Sequence, residues 1–442
     1  MDKLFPDNDR SPELVGNPVF PAEVTDMIID YLHNCPYMLK RCSLVCRDWT
    51  ASSRYHLFYT ISFSSERAAF SDVLAFIVSA PDIHPYIKAI TLSDYRGISL
   101  KDVRAVLEPL TSLNSVTLDR LHISKPHWRE PVLEPALHAL ATLRISSCNV
   151  VEIDTSLLLR LLGLFSEITT LHLAHAMSSY SMRFHDFGSS LNKFPLHLRV
   201  SNLELRPLPI QVLDMLFHRD YLPHRWASLH TLCIDGGCRS WEHVRKIGEF
   251  LAVVGPQLRE IALRLTDKLV APREDLQAAN GQPPAAATTK KWRALRLDKC
   301  TKLEVFKISV GHVDYFARRD SKTVFRATVD LLTHLPSTVK QVRIGFSPDR
   351  FSLPDNRFEQ YKDFLMGLDW QALDNTMAAP KFKTLTVVLD VGLVRERFNV
   401  EQCQELLKCA THALPGLDSR EMLKFDFTER KWWVLAVQQL WD

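Results

Sequence analysis

Glycine is scarce in this sequence, at 14 of 442 residues, and neither a Gly-x-Gly-x-x-Gly nor a Walker-type loop is present. Such loops let backbone N–H groups cradle phosphates, so a nucleotide-dependent enzyme core is disfavoured. The sequence also lacks the Gly-x-Ser-x-Gly elbow of hydrolases and the His-Glu-x-x-His motif of zinc proteases. We therefore expect no catalytic residues, no cofactor and no enzymatic activity.

An excess of one charge is missing as well, since 54 Lys and Arg stand against 51 Asp and Glu. Nucleic-acid-binding proteins cluster basic residues, so we expect no nucleic-acid partner. No uninterrupted apolar stretch approaches the roughly 20 residues of a membrane span. The first residues, MDKLFPDNDRSP, contain no apolar segment of a secretory signal. Neither membrane insertion nor secretion is expected.

The nine cysteines are scattered and odd in number, which favours buried free thiols in a reducing compartment, the cytosol or the nucleus. Cys35, Cys42 and Cys46 lie close enough for a zinc site. They lack Cys-x-x-Cys spacing and a fourth ligand, so packing is favoured and no metal is expected. His172 and His175 flank a strand end, where hydrogen-bonded or solvated histidines are favoured over a metal or catalytic role.

Two amphipathic helices are predicted near the N-terminus. Pro21 can start the first, because its missing N–H would be unpaired there anyway. Pro36 marks the break between the two. Apolar residues recur at helical spacing along one stripe in each helix: Val24, Ile28, Tyr31 and Leu32 in the first, and Leu39, Cys42, Cys46 and Trp49 in the second.

Both helices carry further apolar residues outside these stripes. At about 100° per residue, Ile29 lies about 140° from Val24, and Leu44 lies well away from the second stripe. A module of about 40 residues cannot bury two apolar faces in its own core. One face is therefore expected to meet the rest of the chain, and the other a partner.

Three segments of this region resemble the F-box family, in the right order. They are residues 20–24 (FPAEV), 28–32 (IIDYL) and 42–49 (CSLVCRDW). The family pattern is Leu-Pro-x-Glu-Val/Leu, an Ile/Leu-rich helix, and a Leu-x-x-Cys-x-x-Val-Cys-x-x-Trp stretch. Phe20 departs from it but keeps an apolar anchor. Residues 53–58 (SRYHLF) resemble a form that is frequent in fungal F-box proteins.

F-box proteins bind a Skp-family adaptor and so join a cullin–RING ubiquitin ligase, and the resemblance implies both partners for this chain. It places nine residues in or beside the adaptor interface: Phe20, Pro21, Val24, Ile28, Ile29, Leu32, Leu44, Val45 and Trp49. The alternative is a helical hairpin that only caps the next domain, because repeat arrays need terminal caps.

Short segments of the form x-apolar-x-apolar recur after this module, at 60–63, 89–92, 115–118, 142–145, 170–173, 202–205, 231–234 and 260–263. Between their last residues, the successive steps are 29, 26, 27, 28, 32, 29 and 29. A steady period in the high twenties is typical of leucine-rich-repeat solenoids, whose units span roughly 20–29 residues. Helical patterns fill intervals at 70–78, 103–110, 132–140 and 156–165.

The pattern loosens in the C-terminal third. Strand-like segments at 305–308, 341–344 and 384–387 follow at steps of 45, 36 and 43, with helical patterns at 324–335, 358–368 and 401–410. The stretch 271–291, rich in Ala, Pro, Gln and Thr, predicts a mobile loop. The aromatic segment 431–437 predicts a cap on the stack, with an exposed docking patch as the alternative.

The expected fold class is α/β, with small all-α F-box-like helices followed by a leucine-rich-repeat-like solenoid. In the solenoid, parallel strands lie inside and helices outside. The predicted domains are a flexible N-terminus (1–17), the F-box-like module (18–58) and the irregular array (59–442).

Alternate strand residues point to opposite faces, so the non-core positions should line the concave side. Five of them are candidate client-binding residues: Arg144, His172, Glu204, Lys307 and Arg343. The three basic ones could hold an acidic group of a client. A plain solvated sheet face is the alternative, and loops could equally carry the contacts.

The sequence thus predicts a substrate-recognition subunit of an SCF-type cullin–RING ubiquitin ligase. It would bind a Skp-family adaptor through the F-box-like module and an unidentified protein client through the array. The alternative is a repeat scaffold for protein–protein interaction that belongs to no ligase. A pull-down with a Skp-family adaptor separates the two.

Overall fold

The structure is a computed structural model. It describes residues 21–124, 139–148, 155–174, 198–206, 213, 216–217, 226–238, 240–265, 292–310, 321–346, 357–382, 384–390 and 399–426. Within these ranges, no helix is long and apolar enough to cross a membrane.

A twelve-stranded sheet runs through the described part of the array, and every neighbouring pair of strands is parallel. Its strands follow chain order, so each repeat adds one strand to the edge of the preceding one. They are β1 (Thr60–Ser64), β2 (Ala89–Ser93), β4 (Ser115–Asp119), β6 (Leu140–Ser146), β7 (Glu167–Ala174), β8 (Arg199–Leu205), β9 (Thr231–Cys238), β10 (Glu260–Leu265), β11 (Val305–Val310), β12 (Gln341–Phe346), β13 (Thr386–Asp390) and β14 (Leu423–Asp426). A separate pair joins β3 (Arg96–Ile98) to β5 (His122–Ile123).

Three helices precede the sheet: α1 (Ala22–Tyr31), α2 (Pro36–Cys42) and α3 (Arg47–Phe58). Others lie between its strands: α4 (Phe70–Ser79), α5 (Leu100–Leu107), α6 (Thr155–Leu162), α7 (Trp241–Val254), α8 (Ser321–Leu332), α9 (Arg357–Met366), α10 (Trp370–Met377), α11 (Val400–Ala413) and α12 (Pro415–Asp418). Short 3₁₀ turns complete several repeats, at Pro81–Tyr86, Gly255–Gln257, Arg293–Leu295, Leu297–Lys299 and Pro380–Phe382. The expected α/β fold class, a leucine-rich-repeat-like solenoid, is confirmed.

The strand register confirms the predicted period. From the first repeat to the tenth, the residues expected to end each strand pair with one another: Phe63, Leu92, Leu118, Ile145, Leu173, Leu205, Ile234, Leu263, Ile308 and Ile344. Nearly all are fully buried. One apolar position per repeat therefore forms a continuous row through the core.

The repeat around β6 shows why these units stack. Leu140, Leu143, Ile145 and Cys148 fit the Leu-x-x-Leu-x-Leu-x-x-Asn/Cys pattern of leucine-rich repeats, and all four are buried. The Cys148 thiol donates to the carbonyl of Leu118 in the preceding repeat, with the sulfur 3.4 Å from the oxygen. This thiol takes the place of the asparagine side chain that links neighbouring regular repeats.

A left-handed residue follows three successive strands. Asp94, Arg120 and Ser147 have φ angles of 65°, 50° and 53°. Each donates its backbone N–H to the carbonyl that ends the next strand, at 3.0, 2.9 and 3.1 Å. The chain therefore leaves these strands by the same turn, which keeps adjacent repeats in register.

Some expectations were wrong or fall outside the described residues. In β13, Leu389 rather than Val387 pairs with Ile344, so the register lies two residues further along. In the helical pattern predicted at 70–78, Val78 was expected to share a face with Val73 and Ile77, which are buried, but it is exposed. The loop at 271–291, the aromatic segment 431–437 and residues 132–138 of the helical pattern predicted at 132–140 lie outside the described residues. Leu140, expected on that helical face, begins strand β6 instead.

Two of the C-terminal helices are tied together by a buried carboxylate. Asp374 of α10 accepts hydrogen bonds from the backbone N–H groups of Gly416 and Leu417, both at 2.9 Å. These donors lie in the first turn of α12, where no carbonyl within the helix can pair with them. A carboxylate there also interacts favourably with the helix dipole.

Candidate functional site

The N-terminal module is a packed group of three helices. Ile29 of α1 and Leu39 of α2 are fully buried, at 0% and 1% exposed. Thr25 of α1 and Ser53 of α3 are also buried. Small polar side chains at these positions let α1 lie close to α3, which it contacts.

Polar contacts fix α1 against α3. The Ser52 hydroxyl donates to the Asp26 carboxylate. His56 Nε2 lies 2.7 Å from Asp30 Oδ1. Asp26 and Asp30 are one helical turn apart on α1, as Ser52 and His56 are on α3. The two helices are therefore held in one alignment, with the remaining sides of α1 turned outward.

The outward sides of the module carry exposed apolar side chains, which we call the N-terminal apolar surface. Tyr31 and Leu44 are its most exposed members, at 88% and 86%. It comprises Val24, Met27, Ile28 and Tyr31 of α1, Tyr37 and Met38 of α2, and Leu44 and Val45 of the following turn. Single exposed apolar residues are common on soluble proteins, but eight between residues 24 and 45 indicate an interaction site.

The turn between α2 and α3 presents Leu44 and Val45. The expected second helix is broken there, because α2 ends at Cys42 and α3 begins at Arg47. The Thr50 hydroxyl reaches back to the carbonyls of Ser43 and Cys46, at 3.0 and 2.9 Å. This local bonding holds the turn with its apolar side chains in solvent.

The nine residues assigned to the adaptor interface differ in how far the structure exposes them. Of the aliphatic ones, Val24, Ile28, Leu44 and Val45 are exposed, as an interface requires. Pro21 is exposed, whereas Leu32 and Trp49 are half-buried, and Phe20 lies outside the described residues. Whether any of them binds an adaptor stays a prediction.

The resemblance places Ile29 in or beside the adaptor interface, but its side chain is completely buried within the chain and cannot contact an adaptor directly. The inner side of α1 is formed by Thr25 and Ile29, one turn apart, and the apolar stripe that includes Val24 and Ile28 faces outward. Ile29 therefore supports the module from inside.

Sequence reasoning missed Met27, Tyr37 and Met38 as surface residues. Met27 is 70% exposed and lies one turn before Tyr31. The Arg41 guanidinium lies 4.3 Å from the centre of the Tyr37 ring, a cation–π contact. Helical spacing from Ile28 could have pointed to Met27, because positions 24, 27, 28 and 31 share one side of a helix.

The module joins the array with a single residue between helix and strand. Tyr59 separates α3 from β1, and its carbonyl accepts from the N–H groups of Lys88 and Ala89, at 3.0 and 2.8 Å. Phe58 packs against the core of the array. Helix α3 also contacts the 3₁₀ turn Pro81–Tyr86. The module is thus built onto the first two repeats.

The second candidate surface is the face of the sheet that carries the polar strand positions, here called the polar face. Its central row pairs Ser62, Thr91, Thr117, Arg144, His172, Glu204, Cys233, Ala262, Lys307, Arg343, Val388 and Lys424. The five client candidates therefore share one row, as expected. In this row Ala262 is buried, and Val388 stands where Thr386 was expected.

Two of those candidates are paired with carboxylates from other strands. Lys307 of β11 forms an ion pair with Glu260 of β10. Arg343 of β12 forms an ion pair with Asp426 of β14, with the Nη1 and Oδ2 atoms 2.8 Å apart. The Arg343 pair crosses β13, whose Val388 side chain is buried in the same row. At the predicted site for an acidic group of a client, Lys307 and Arg343 are therefore already paired with carboxylates of this chain.

Similar pairs occupy the middle of the polar face. His172 Nδ1 lies 2.6 Å from Glu204 Oε2, a close contact without hydrogen-bond alignment. Arg264 Nη1 lies 3.3 Å from Asp235 Oδ1. Burial raises the pKa of the Cys233 thiol far above its usual value, and the neighbouring Glu204 and Asp235 carboxylates raise it further. Cys233 is therefore a neutral thiol and no nucleophile.

Arg144 differs from its neighbours in the row. Burial lowers the pKa of its guanidinium, and the positive charge of Arg206 lowers it further, while Glu204 and Asp119 act in the opposite direction. Arg206 follows β8 and continues the ladder, since its N–H donates to the Leu173 carbonyl at 2.8 Å. Sequence reasoning missed Arg206, because it lies just beyond the strand-like segment.

Among the described residues, no group of three or more His, Cys, Asp or Glu side chains could hold a metal ion. The two surfaces consist of an apolar patch and a polar sheet face. Both are suited to binding.

Comparisons with known proteins find no matching family model and no matching curated protein. Among solved structures, the leucine-rich repeat-containing protein LegL7 from Legionella pneumophila is 14% identical, with a TM-score of 0.41, and the match covers 83% of this chain and 89% of that chain. A structure of the Rad7 and Elc1 complex in yeast is 11% identical, with a TM-score of 0.24, covering 76% and 91%. Both likenesses are distant, and the repeat fold rests on the strand register described above.

Proposed function

We propose that this chain is a substrate-recognition subunit of an SCF-type cullin–RING ubiquitin ligase. Its N-terminal module binds a Skp-family adaptor, and its repeat array binds a protein client. It performs no chemistry of its own. Its role is to raise the effective concentration of the client near the enzyme that carries ubiquitin.

The observation that carries this proposal is the N-terminal apolar surface. It combines exposed aliphatic and aromatic side chains from α1, α2 and the turn that follows, in a segment whose order of motifs resembles the F-box. Burying such side chains releases about 25 cal/mol per Å² of apolar area. Tyr31 and Leu44, which are almost fully exposed, offer the largest fractions of their surface to a partner.

The experiment is capture of a purified Skp-family adaptor by the full chain. The test variant carries Ile28→Asp and Leu44→Asp, which place carboxylates in the apolar surface. The control carries Val78→Asp, because Val78 is also a large exposed apolar residue (79%) but lies on α4 in the array. A charge buried in an interface without a partner costs about 2–5 kcal/mol.

We expect at least a hundredfold loss of adaptor affinity in the test variant and wild-type affinity in the control. Both variants should keep the melting temperature of the wild type, because the three substituted residues are exposed. Unimpaired capture by the test variant would show that this surface is not the adaptor site. Absence of capture by the wild-type chain would refute the ligase assignment altogether.

A second candidate function is a repeat scaffold that belongs to no ligase. The packing of α3 against β1 and the 3₁₀ turn Pro81–Tyr86 favours it, because this is what a terminal cap does. A cap, however, has no need of apolar side chains on its outer side. The same capture experiment separates the two candidates, since a scaffold would not bind the adaptor.

A further inference from the structure

Two arginines on the polar face differ from the other basic side chains around them. Arg264, Lys307 and Arg343 each have a carboxylate partner on a neighbouring or next-nearest strand. Arg144 and Arg206 have no ion-pair partner within 4.0 Å among the described residues. The charge of Arg206 lies close enough to act on Arg144.

The acidic groups nearest to this arginine pair are engaged elsewhere. Glu204 is in contact with His172 at 2.6 Å. Asp119 accepts from the Ser146 hydroxyl at 2.7 Å and lies 3.4 Å from the Arg120 guanidinium. These carboxylates moderate the positive potential without occupying the guanidinium donors. Two like charges kept together and partly buried are unfavourable by themselves, which indicates a place for an anion.

The strands set the spacing of the pair. Arg144 lies on β6 and Arg206 follows β8, with β7 between them. Arg144 is level with Glu204, two residues before Arg206. Two strand spacings and two residues along the strand separate the two backbones by about 12 Å. On the same face, the intervening strand carries His172, which contacts Glu204, and Ala174. Ala174 and its neighbour Ser146 are short and leave room beside Arg206.

We propose that Arg144 and Arg206 form a subsite for one anionic side chain, a phosphate or a carboxylate, of a protein client. The inference rests on the proposed function in that it takes the occupant to be a client protein. Guanidinium groups donate paired N–H bonds to planar or tetrahedral oxyanions, and two of them can grip one group from both sides. The nearby Glu204 and Asp119 carboxylates have other partners, so the guanidinium donors stay available to the anion.

The test measures binding of three pools of short degenerate peptides to the full-length protein by fluorescence anisotropy. The pools differ only at their central residue, which is phosphoserine, glutamate or serine. Protein variants are Arg144→Gln with Arg206→Gln, and Arg144→Lys with Arg206→Lys. The control is Arg199→Gln, because Arg199 is an exposed arginine at the opposite end of β8.

We expect the phosphoserine pool to bind wild-type protein about tenfold or more tightly than the serine pool, as charge-assisted hydrogen bonds would give. The glutamate pool should lie between them. The glutamine variant should bind all pools alike, and the control should retain the preference. The lysine variant keeps both charges and loses the paired donors, so it should lose several-fold of the preference. If the glutamine variant does not fold, the lysine variant still tests whether the paired guanidinium donors bind the anion.

Several results would overturn the subsite. Equal affinity for the three pools in the wild type, including no measurable binding of any, removes its basis. If the glutamine variant still prefers the phosphoserine pool, the anion binds at another site. An unlabelled single-stranded oligonucleotide that displaces the phosphopeptide at lower concentration than the peptide itself would identify nucleic-acid phosphate as the ligand instead.

Failure of this proposal and failure of the ligase proposal can be told apart. Adaptor capture depends on the N-terminal apolar surface, whereas the peptide pools address β6 to β8. If the chain does not bind the adaptor but prefers anionic peptides, the subsite proposal stands and the ligase proposal is refuted. The converse result would retain the ligase role and remove the subsite.

Discussion

Ile29 and Leu44 have similar side chains but opposite positions in the N-terminal module, and this contrast gives a sharp prediction. Ile29 is 0% exposed and Leu44 is 86% exposed. Ile29→Ala removes three carbon groups from the interior, each contributing about 0.8 kcal/mol, and leaves a cavity. The expected loss is about 3 kcal/mol of unfolding free energy for the module, within the range found for such substitutions.

The effect should be local. Few apolar residues of the module are buried besides Ile29, chiefly Leu39 and Cys42, whereas the array has a core that is continuous from repeat to repeat. A cavity in so small a core should open the module well below the unfolding temperature of the array. Hydrogen exchange followed by mass spectrometry should therefore show faster exchange across α1 and α2 and unchanged protection in β6 to β12.

Leu44→Ala is the matched control for stability and a test of binding. Because Leu44 is exposed, its truncation should change the unfolding free energy by less than about 0.5 kcal/mol. If Leu44 inserts into a pocket of the adaptor, truncation should weaken capture about tenfold or more. Both variants should lose adaptor binding, but only Ile29→Ala should lose protection against exchange. Equal protection in the two variants would refute the burial of Ile29 on which this reasoning depends.

Two further outcomes test the array. Asp374→Ala should lower the unfolding free energy by about 2–4 kcal/mol, because one buried and one half-buried N–H group lose their acceptor. Asp374→Asn should restore part of it in urea denaturation. Burial raises the pKa of the Cys300 thiol to about 12, so iodoacetamide at pH 8 should leave Cys300 unmodified in the folded protein. The exposed Cys35 and Cys46 should be modified first, as peptide mass spectrometry would show.

The periodicity of the array could be predicted from the sequence because each repeat must supply the same buried positions. A strand buried on one face alternates apolar and other residues, and a one-residue error would turn its side chains the wrong way. A two-residue error keeps every side chain on the correct face. The displaced register of β13 is an error of this kind, since Val387 and Leu389 are both buried.

The inner side of α1 could not be read from its apolar residues. Apolar side chains occur around most of that helix, and an interface needs them outside as much as the core needs them inside. The side that packs is marked instead by a small polar residue, Thr25, and by acidic residues that find partners on α3. Those partners lie 26 residues further along the chain, beyond the reach of helical spacing.

The ion pairs of the polar face could not be predicted from the sequence either. Arg343 and Asp426 are 83 residues apart in the chain, and only the addition of β14 to the sheet brings them together. The sequence shows basic residues in alternating positions but not which of them are neutralised. From the sequence, Arg144 was therefore grouped with Lys307 and Arg343, which are paired with carboxylates. In the structure, Arg144 instead lies near Arg206, and neither of these two arginines has an ion-pair partner among the described residues.

A cap and an adaptor-binding unit are not exclusive roles for the helical module, because different sides of its helices can serve each role. Phe58 at the end of α3 packs against the core of the array, and α3 contacts the 3₁₀ turn Pro81–Tyr86. Helices α1 and α2 and the turn after α2 carry the exposed apolar side chains. With only Tyr59 between α3 and β1, little freedom remains for the module to move against the sheet. For a ligase subunit, this would fix the distance from adaptor to client, and effective concentration depends on that distance.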